Sequence, residues 1–443
     1  MLVSRCLNFI RRASTMPLQR SVAPILCVQP SRALVDEKFT VLVKNLPPGG
    51  PFTVRSLHLS EDNDYWEAYG HYVSNHQGEL SVWDDLSFGG TYTGREPMGL
   101  LSSMRPIPGS RPGLRLRKKD VTTPMLVTIS VYCGHEDYRD QTPLASVLTE
   151  RWHMAPGVQR FPLQENTVRG TLFIPPGPGP FPGILDMWGG GGGLLEYRAA
   201  LLASHGYVCL ALEYFKPGEM TSANQEFSYF ETAFNVIKDH PQVKTDRVGI
   251  LGLSLGSAVT LNLATESSVV EPRCIVCVSP NNVFSQQTSI VGAFGDIFRF
   301  PVKHDENNCE IWREMILPLL KDSSRKVKVE KLRCPMLCIS GCDDQNWPAV
   351  ESVDDVMETL RAVGKDHLLT RADYPDAGHL IEPPFTPHFR ATNFIRGSTM
   401  EKVVMLWGGQ TKPHSEAQED SWRKILSFLQ HNLYGNDHAR SRL

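Results

Sequence analysis

The sequence predicts an α/β fold in which a mostly parallel β-sheet with flanking helices follows an N-terminal β-sandwich. Three observations carry this prediction. From about residue 161, short and almost wholly apolar runs alternate with helix-length patterns, as in doubly wound sheets. Between residues 25 and 155, shorter runs alternate apolar and polar residues and are interrupted by proline and glycine. The chain has 443 residues, which is enough for more than one domain.

The expected β-sandwich covers residues 25–155. Runs such as "KFTVLVKNL" and "MLVTISVYCGHE" place many apolar residues at alternate positions, so one face of each strand would be buried. Val54, Leu57 and Leu59 show nearly the same period of two. Because helix-length periodicity is missing here, a sandwich is the architecture that these residues favour.

The expected α/β domain covers residues 161–434 and consists of repeated strand, loop and helix units. Strands are predicted at 169–175, 184–188, 207–213, 247–252, 273–279 and 335–341, and helices at 196–206, 226–240 and 257–266. The proline- and glycine-rich residues 176–183 are predicted to form a hairpin connection. The less regular residues 281–330 either cap the site or form a solvated face.

Composition excludes several classes of function. The formal net charge of -3 gives no reason to expect nucleic-acid binding. No run approaches the roughly 20 apolar residues of a membrane-spanning helix. The 10 cysteines lack metal-ligand spacing, and Cys274 and Cys277 would point to opposite faces of a strand. We therefore expect free thiols, no metal site, no nucleic-acid partner and no membrane span.

Both ends of the chain resemble targeting signals. Residues 1–24 are rich in arginine, lack acidic residues and are amphipathic, which is typical of a mitochondrial transit peptide; the alternative is a basic terminus without function. Residues 435–443 end in Ser441-Arg442-Leu443, which is similar to the Ser-Lys-Leu signal read by a peroxisomal import receptor. Because translation from Met16 would remove the first signal, we expect location in peroxisomes, mitochondria or both.

A candidate nucleophile lies in "RVGILGLSLGSAV", residues 247–259. A buried strand ends in Gly252-Leu253-Ser254-Leu255-Gly256, and a helical pattern follows at once. A serine on such a sharp turn needs small neighbours, because a Cβ would clash where strand and helix pass. The alternative is that Ser254 is only a small residue at a turn.

Two further residues complete a candidate triad. A serine nucleophile needs a base, and the base needs a group that orients it. Asp344 follows the apolar run "PMLCIS" at the carboxyl edge of the predicted sheet, and His379 lies later in "YPDAGHLIEPP". The order Ser254, Asp344, His379 is typical of α/β-hydrolases. Asp343 could replace Asp344, or both could cap the next helix.

The five glycines 189–193 follow an early strand and contain no phosphate-binding lysine motif. A flexible turn is one interpretation. The other is an oxyanion hole, formed by the backbone N–H of Leu255 and by one N–H of the glycine loop, which we assign to Gly190.

The chain resembles the acyl-CoA thioesterases that share ancestry with bile acid-CoA:amino acid N-acyltransferase. The matching stretches are "EPMGLL" (96–101), 169–203 with its glycine run, "RVGILGLSLG" (247–256), "GCDDQNW" (341–347) and "AGHLIEPPFTP" (377–387). The resemblance runs from about residue 25 to 433. It implies an N-terminal β-sandwich, a C-terminal α/β-hydrolase domain, and Ser254, Asp344 and His379 as nucleophile, acid and base.

The resemblance also implies the reaction. Hydrolases of the family carry serine at the nucleophile position and the amino-acid-conjugating enzyme carries cysteine, so Ser254 favours hydrolysis of fatty acyl-CoA to a fatty acid and coenzyme A. The alternative is transfer of a fatty or bile acyl group to glycine or taurine. No cofactor is implied, because coenzyme A is part of the substrate. Leu255 and Ser257 depart from the lysine and second glycine that many relatives have, so substrate preference does not carry over.

Overall fold

The computed structural model describes residues 23–165, 167–191, 193–214, 226–285, 297, 300–396 and 401–435. Its N-terminal part is almost wholly β-structure. The strands are β1 (Ile25–Gln29), β2 (Arg32–Leu34), β3 (Thr40–Lys44), β4 (Pro51–Leu59), β5 (Tyr65–Val73), β6 (Leu80–Ser81), β7 (Arg105–Pro106), β8 (Met125–Cys133) and β9 (Ala145–Trp152), with one short helix, α1 (Gly99–Ser102).

The N-terminal strands form two sheets. The larger has the order β2-β9-β8-β4-β5-β7 and the smaller has the order β1-β3-β6. All neighbours are antiparallel except β2 and β9. Inward residues of both sheets, such as Val43 and Val54, are fully buried in one shared core. Alternating burial along β1 and β3 explains the alternating sequence pattern.

Strands and helices mix after residue 158. The strands are β10 (Gln159–Glu165), β11 (Val168–Ile174), β12 (Phe181–Met187), β13 (Val208–Glu213), β14 (Val243–Leu253), β15 (Cys274–Val278), β16 (Lys303–His304), β17 (Glu310–Ile311), β18 (Met336–Gly341), β19 (Leu369–Tyr374), β20 (Ala391–Ile395) and β21 (Lys402–Leu406). The helices are α2 (Tyr197–Ser204), α3 (Phe227–Lys238), α4 (Leu255–Glu266), α5 (Arg313–Ile316), α6 (Ala349–Ala362) and α7 (Thr411–Leu429). Single-turn helices lie at Tyr138–Asp140, Leu317–Lys321, Ser323–Arg325, Val329–Lys331, Asp366–Leu368 and Gln430–Tyr434.

The main sheet has eight strands in the order β10-β11-β13-β12-β14-β15-β18-β19. The six strands from β13 to β19 are mutually parallel, and β11 is antiparallel to both of its neighbours. Strands β13, β15 and β18 are buried at every position, because helices α2, α3, α4, α6 and α7 pack against the sheet. The predicted fold class is confirmed.

The predicted hairpin at residues 176–183 is wrong. This segment joins β11 to β12, but β13 lies between those two strands in the sheet. A hairpin requires its two strands to be neighbours, and here the later strand β13 pairs with both. The local turn residues indicated a reversal of direction but carried no information about which strand pairs with which.

A second, small sheet lies beside the main one, with the order β16-β17-β21-β20. Strands β16 and β17 come from the irregular segment 281–330, and β20 and β21 follow the predicted catalytic histidine. Trp312, next to β17, contacts Phe394 of β20 with ring centroids 5.4 Å apart. Both rings line the cleft described below, so part of segment 281–330 forms a wall of the site.

The N-terminal part packs tightly on the α/β part. Asp36 is buried and accepts hydrogen bonds from Trp422 Nε1 at 2.9 Å and from His205 Nε2 at 2.6 Å. Arg115 forms a buried ion pair with Glu382. These charged contacts cross between segments more than 160 residues apart in sequence, so the two parts form one continuous core rather than loosely tethered units.

The predicted targeting segments 1–24 and 435–443, with Met16 and Ser441-Arg442-Leu443, lie almost entirely outside the described residues. Within the ranges given above, none of the helices combines the length and the apolar character that crossing a bilayer requires. The assigned domain boundaries at 25–155 and 161–434 stay a prediction.

Candidate active site

Ser254 sits on a strained turn between β14 and α4. Its backbone angles are φ +56° and ψ −120°, outside the regions that a serine ordinarily adopts. A Cβ on Gly252 would lie 2.2 Å from the carbonyl oxygen of Gly256, and a Cβ on Gly256 would lie 2.5 Å from that of Met187. Both glycines are therefore required by close backbone approach, as the sequence predicted.

Hydrogen bonds fix this turn to its neighbours. The Ser254 N–H donates to Val278 O at 2.9 Å, and the Gly256 N–H donates to Trp188 O at 3.0 Å. The hydroxyl of Ser257 donates to Ser254 O at 2.6 Å. The serine is thus held from β15, from the end of β12 and from its own helix, which keeps its side chain at the carboxyl edge of the sheet.

The structure brings the three predicted residues together. His379 Nε2 lies 2.8 Å from Ser254 Oγ, and His379 Nδ1 lies 2.7 Å from Asp344 Oδ2. Ser254, Asp344 and His379 are 7%, 2% and 1% exposed. A serine hydroxyl, an imidazole and a carboxylate therefore form one hydrogen-bonded chain that is largely shielded from water.

Asp344, rather than Asp343, faces the histidine. The second oxygen of Asp344 accepts hydrogen bonds from the backbone N–H groups of Asn346 at 2.8 Å and Trp347 at 2.7 Å. These bonds leave Oδ2 aimed at His379. Helix α6 begins only at Ala349, with Pro348 at its N-cap, so Asp344 does not cap it.

Asp343 points the other way. Its carboxylate accepts from the Gly409 N–H at 2.8 Å, from Gln345 Nε2 at 2.6 Å and from Arg390 Nη1 at 3.0 Å. Burial raises the pKa of Asp343, but these hydrogen bonds outweigh it and lower the pKa below its usual value. Asp343 therefore joins two loops and does not touch the histidine.

Two tryptophans hold the imidazole of His379. Trp407 stacks on it with ring centroids 5.7 Å apart and an interplanar angle of 15°, and Trp347 lies at 5.9 Å. The His379 N–H donates to Trp407 O at 2.9 Å, and Ser279 Oγ donates to His379 O at 2.7 Å. Ring and backbone are both fixed, so the base is oriented before a substrate arrives.

The glycine loop after β12 faces Ser254. A Cβ on Gly189 would lie 3.2 Å from Ser254 Cβ and 3.5 Å from Ser254 Oγ, so a side chain here would crowd the serine. Gly190 lines the same cleft. Leu255 is the first residue of α4, so its N–H has no partner within the helix. The glycine loop and the first residue of α4 thus both lie beside the serine. The oxyanion roles of Gly190 and Leu255 stay a prediction.

A cleft opens over the triad and encloses about 540 Å³ of empty space, including its mouth. Five aromatic side chains line it, those of Trp188, Trp312, Trp347, Phe394 and Trp407. Two arginines, Arg115 and Arg117, also line it. Apolar walls with a few polar groups are typical of a site that takes a small molecule.

The arginines and most of the aromatic walls were missed by sequence reasoning. Arg115 and Arg117 lie in the N-terminal part, and Trp312, Phe394 and Trp407 belong to the small sheet or its flanks. No local pattern marks such residues, because only the tertiary fold brings them beside Ser254.

Three other histidines do not take part in the triad. His153 is buried behind the cleft, where burial lowers its pKa to about 3. His205 contacts Asp36, and His388 lies near His414 on α7. Across the described ranges, His, Cys, Asp and Glu side chains nowhere gather in groups of three or more that could hold a metal ion.

Comparison with known proteins identifies the family. The model described as "Acyl-CoA thioester hydrolase/BAAT N-terminal region" matches residues 36–165, and the model "BAAT / Acyl-CoA thioester hydrolase C terminal" matches residues 225–435. The peroxisomal succinyl-coenzyme A thioesterase of Mus musculus is 37% identical over 95% of this chain and 99% of that protein. Acyl-coenzyme A thioesterase 1 of Mus musculus is 36% identical over 92% of this chain and 96% of that protein.

Two further matches extend this comparison. Mitochondrial acyl-coenzyme A thioesterase 2 of Mus musculus is 35% identical over 92% of this chain and 89% of that protein. Among solved structures, an esterase from Thermogutta terrifontis is 16% identical over 64% of this chain and 96% of that chain, with a TM-score of 0.39. The resemblance predicted from the sequence is confirmed: the chain belongs to the family of acyl-CoA thioester hydrolases and bile acid-CoA:amino acid N-acyltransferases.

Proposed function

We propose that this chain is an acyl-CoA thioesterase that hydrolyses fatty acyl-CoA through an acyl-enzyme on Ser254. The observation that carries the proposal is the hydrogen-bonded chain from Asp344 through His379 to Ser254 at the base of an apolar cleft. The family membership supplies the thioester substrate, since the named relatives are acyl-CoA thioesterases.

The first half of the reaction transfers the acyl group to the enzyme. His379 Nε2 takes the proton of Ser254 Oγ as the oxygen attacks the thioester carbonyl carbon. Asp344 holds Nδ1–H and stabilises the imidazolium that forms. The Leu255 N–H and a glycine-loop N–H, assigned to Gly190, stabilise the negative oxygen. The carbon–sulfur bond then breaks, and the coenzyme A thiolate takes the proton from His379 Nε2, which leaves the imidazole neutral for the second half.

The second half releases the acid. Water enters beside His379, which accepts its proton as the water oxygen attacks the acyl carbon. The tetrahedral species collapses, the carbon–oxygen bond to Ser254 breaks, and His379 returns the proton to Ser254 Oγ. The five aromatic walls suit the apolar part of the acyl group, because they remove its surface from water.

Substitution of the nucleophile tests this proposal. Ser254→Ala should lower kcat for palmitoyl-CoA hydrolysis by about 10⁴- to 10⁶-fold, measured as coenzyme A release. Ser352→Ala is the matched control, because Ser352 is also buried, its hydroxyl finds no hydrogen-bond partner within the described ranges, and it lies on α6 and does not line the cleft. A Ser254→Ala enzyme with the wild-type rate would remove the proposed mechanism.

The family also contains enzymes that transfer the acyl group to the amine of an amino acid, so the identity of the acyl acceptor must be measured separately. With palmitoyl-CoA and taurine supplied together, a hydrolase forms palmitate at the rate seen without taurine. Formation of palmitoyl taurine in place of palmitate would identify the chain as an N-acyltransferase and overturn the proposal of hydrolysis.

We infer the cellular location from the two terminal segments and from the relatives, whose names include a peroxisomal and a mitochondrial enzyme. The arginine-rich residues 1–24 would direct the chain to mitochondria, and Ser441-Arg442-Leu443 would bind a peroxisomal import receptor. Imaging of chains started at Met1 or Met16, each with and without the last three residues, tests both signals. A cytosolic pattern for all four chains contradicts the inference.

A further inference from the structure

The proposed base, His379, lies in a segment without regular secondary structure. Strand β19 ends at Tyr374 and β20 begins at Ala391, and residues 375–390 between them contain no helix or strand. We call this segment the base loop. Because no ladder of backbone hydrogen bonds runs along it, contacts with neighbouring elements must hold the imidazole in place within the triad.

His414 of helix α7 contacts the base loop on both sides of His379. Its Nδ1 accepts a hydrogen bond from the backbone N–H of Gly378 at 3.1 Å, and its Nε2 donates to the carbonyl oxygen of Leu380 at 2.9 Å. These two residues come immediately before and after His379 in the sequence. A single ring, itself 2% exposed, therefore spans the piece of backbone that carries the base.

Both hydrogen bonds require one particular form of the His414 ring. A backbone N–H only donates and a carbonyl oxygen only accepts, so Nδ1 must carry no proton and Nε2 must carry one. A proton on Nδ1 would face the N–H of Gly378, and that hydrogen bond would be lost. Burial, and then the neighbouring His388, lower the pKa of His414 to about 3, so the ring is neutral at physiological pH.

The position of His414 is fixed by its helix. It lies in the first turn of α7, which has 19 residues and packs against strands β18 and β19 of the main sheet. The residue before this helix, Gln410, donates its backbone N–H to Asp376 O of the base loop at 2.8 Å. Since Asp344 directly follows β18, the His414 ring is held relative to the same sheet that carries the other triad residues.

We propose that His414 is a positioning residue for catalysis, whose two hydrogen bonds hold the base loop so that His379 Nε2 stays within hydrogen-bond distance of Ser254 Oγ. His414 does not line the cleft, so its contribution is to the geometry of proton transfer and not to substrate binding. A misplacement of about 1 Å can lower a catalysed rate about a hundredfold. The proposal rests on the thioesterase function proposed above and adds a residue to the support of its base.

Substitution of His414 tests the proposal. His414→Leu removes both hydrogen bonds and should lower kcat for palmitoyl-CoA hydrolysis about tenfold to a hundredfold. KM should change by less than about threefold, because the side chains that line the cleft stay in place. This division between kcat and KM distinguishes a positioning residue from one that shapes the binding site.

A second measurement reports on the serine and histidine without acyl-CoA. An alkyl fluorophosphonate labels Ser254 when its Oγ bonds to phosphorus, fluoride leaves, and His379 takes the hydroxyl proton. The second-order rate constant of labelling should fall about tenfold to a hundredfold in His414→Leu, as kcat does. The labelling rate is measured on the full chain, with thermal unfolding as a check on the fold.

Two conservative variants each keep one of the hydrogen bonds. In His414→Asn the amide oxygen can take the place of Nδ1 and accept from Gly378, and in His414→Gln the amide NH₂ can take the place of Nε2 and donate to Leu380. Both variants should have kcat values between those of His414→Leu and the wild type. They also provide the test if His414→Leu does not fold.

Trp422→Phe is the matched control. Trp422 is also buried on α7, but its Nε1–H donates to Asp36 of the N-terminal part at 2.9 Å instead of to the base loop. This substitution removes a buried hydrogen bond from the same helix, so it should lower the temperature of unfolding as a His414 variant does. Its kcat and its labelling rate should stay within about threefold of the wild-type values.

Four outcomes overturn the proposal. His414→Leu with the wild-type kcat and labelling rate would show that the two hydrogen bonds do not position the base. An equal fall in kcat for Trp422→Phe would assign the loss to a general loosening of α7. Values of kcat for His414→Asn and His414→Gln no higher than that of His414→Leu would remove the role of the hydrogen bonds. A raised KM at unchanged kcat would assign His414 to the shape of the cleft.

Failure of the underlying function has a different signature. A wild-type enzyme that hydrolyses no acyl-CoA would refute the thioesterase function. If the fluorophosphonate still labelled Ser254 of that enzyme, and His414→Leu slowed the labelling, the positioning role of His414 would be supported.

Discussion

Replacement of Asp344 by asparagine should prevent His379 from accepting the proton of Ser254. In the native site Oδ1 accepts from two backbone N–H groups, those of Asn346 and Trp347, and Oδ2 accepts from His379 Nδ1–H. An asparagine has one accepting oxygen and one donating NH₂ group. The two backbone donors hold the oxygen on their side, so the NH₂ group faces His379 Nδ1. That nitrogen must then accept, which moves the imidazole proton to Nε2, where it blocks proton transfer from Ser254.

The size of the effect follows from these hydrogen bonds. If the amide were turned around, both backbone hydrogen bonds would be lost and its NH₂ group would face the two backbone N–H donors. This arrangement would cost about 2–3 kcal/mol. Loss of the negative charge beside the imidazolium costs about 2–3 kcal/mol more. Together these losses amount to about 4–6 kcal/mol, which predicts a fall in kcat of about 10³- to 10⁴-fold.

The assay is coenzyme A release from palmitoyl-CoA at saturating substrate, with thermal unfolding as a check on the fold. Asp343→Asn provides the control, since Asp343 is the adjacent carboxylate in the sequence and contacts Gly409 and Arg390 instead of the histidine. It should change kcat by less than about threefold. A fall of less than about tenfold for Asp344→Asn would refute the tautomer argument.

Two further predictions concern the fold around the site. Gly256→Ala should lower the free energy of unfolding by about 1–3 kcal/mol and kcat by more than about tenfold, because its Cβ would lie 2.5 Å from the backbone oxygen of Met187. Urea titration measures the first effect and coenzyme A release measures the second, and wild-type values in both would contradict the prediction. Burial lowers the pKa values of His153 and His414 to about 3, against about 6.5 in the unfolded chain, so the fold holds both rings neutral. Their contribution to the free energy of unfolding should therefore be fully present above about pH 6.5 and should decrease as the pH falls toward 3, by about 2 kcal/mol per histidine at about pH 5. A His414→Asn protein whose free energy of unfolding falls as steeply as that of the wild type between about pH 7.5 and 5 would contradict this prediction.

The fold was predictable where local signals and burial agree. Strands such as β13 and β15 are apolar at every position because both faces are covered, and this pattern is visible in the sequence. The hairpin at 176–183 failed because turn residues describe a change of chain direction, whereas strand order depends on contacts with β13, more than 20 residues later. Strands β16 and β17 of the small sheet were missed because they have two residues each, too few for any period.

The same contrast applies to the site. Ser254, Asp344 and His379 were predictable because each follows a strand or lies in a turn that the sequence itself marks, and because their order is characteristic. Arg117 carries no such mark. A basic residue in "LRLRKKD" reads as solvated, and only the packing of the N-terminal part over the glycine loop brings it to the cleft. Residues that reach the cleft from distant segments are thus harder to predict than the residues of the triad.

The ion pair between Arg115 and Glu382 should limit which N-terminal parts of related proteins can be combined with this α/β part. Glu382 comes three residues after His379, so the N-terminal part anchors the loop that carries the base. A chimera that takes its N-terminal part from another member and lacks an arginine at this position would leave Glu382 buried with one oxygen unpaired. Exchange of the two parts between relatives should therefore lower the stability of the chimera unless this ion pair is kept.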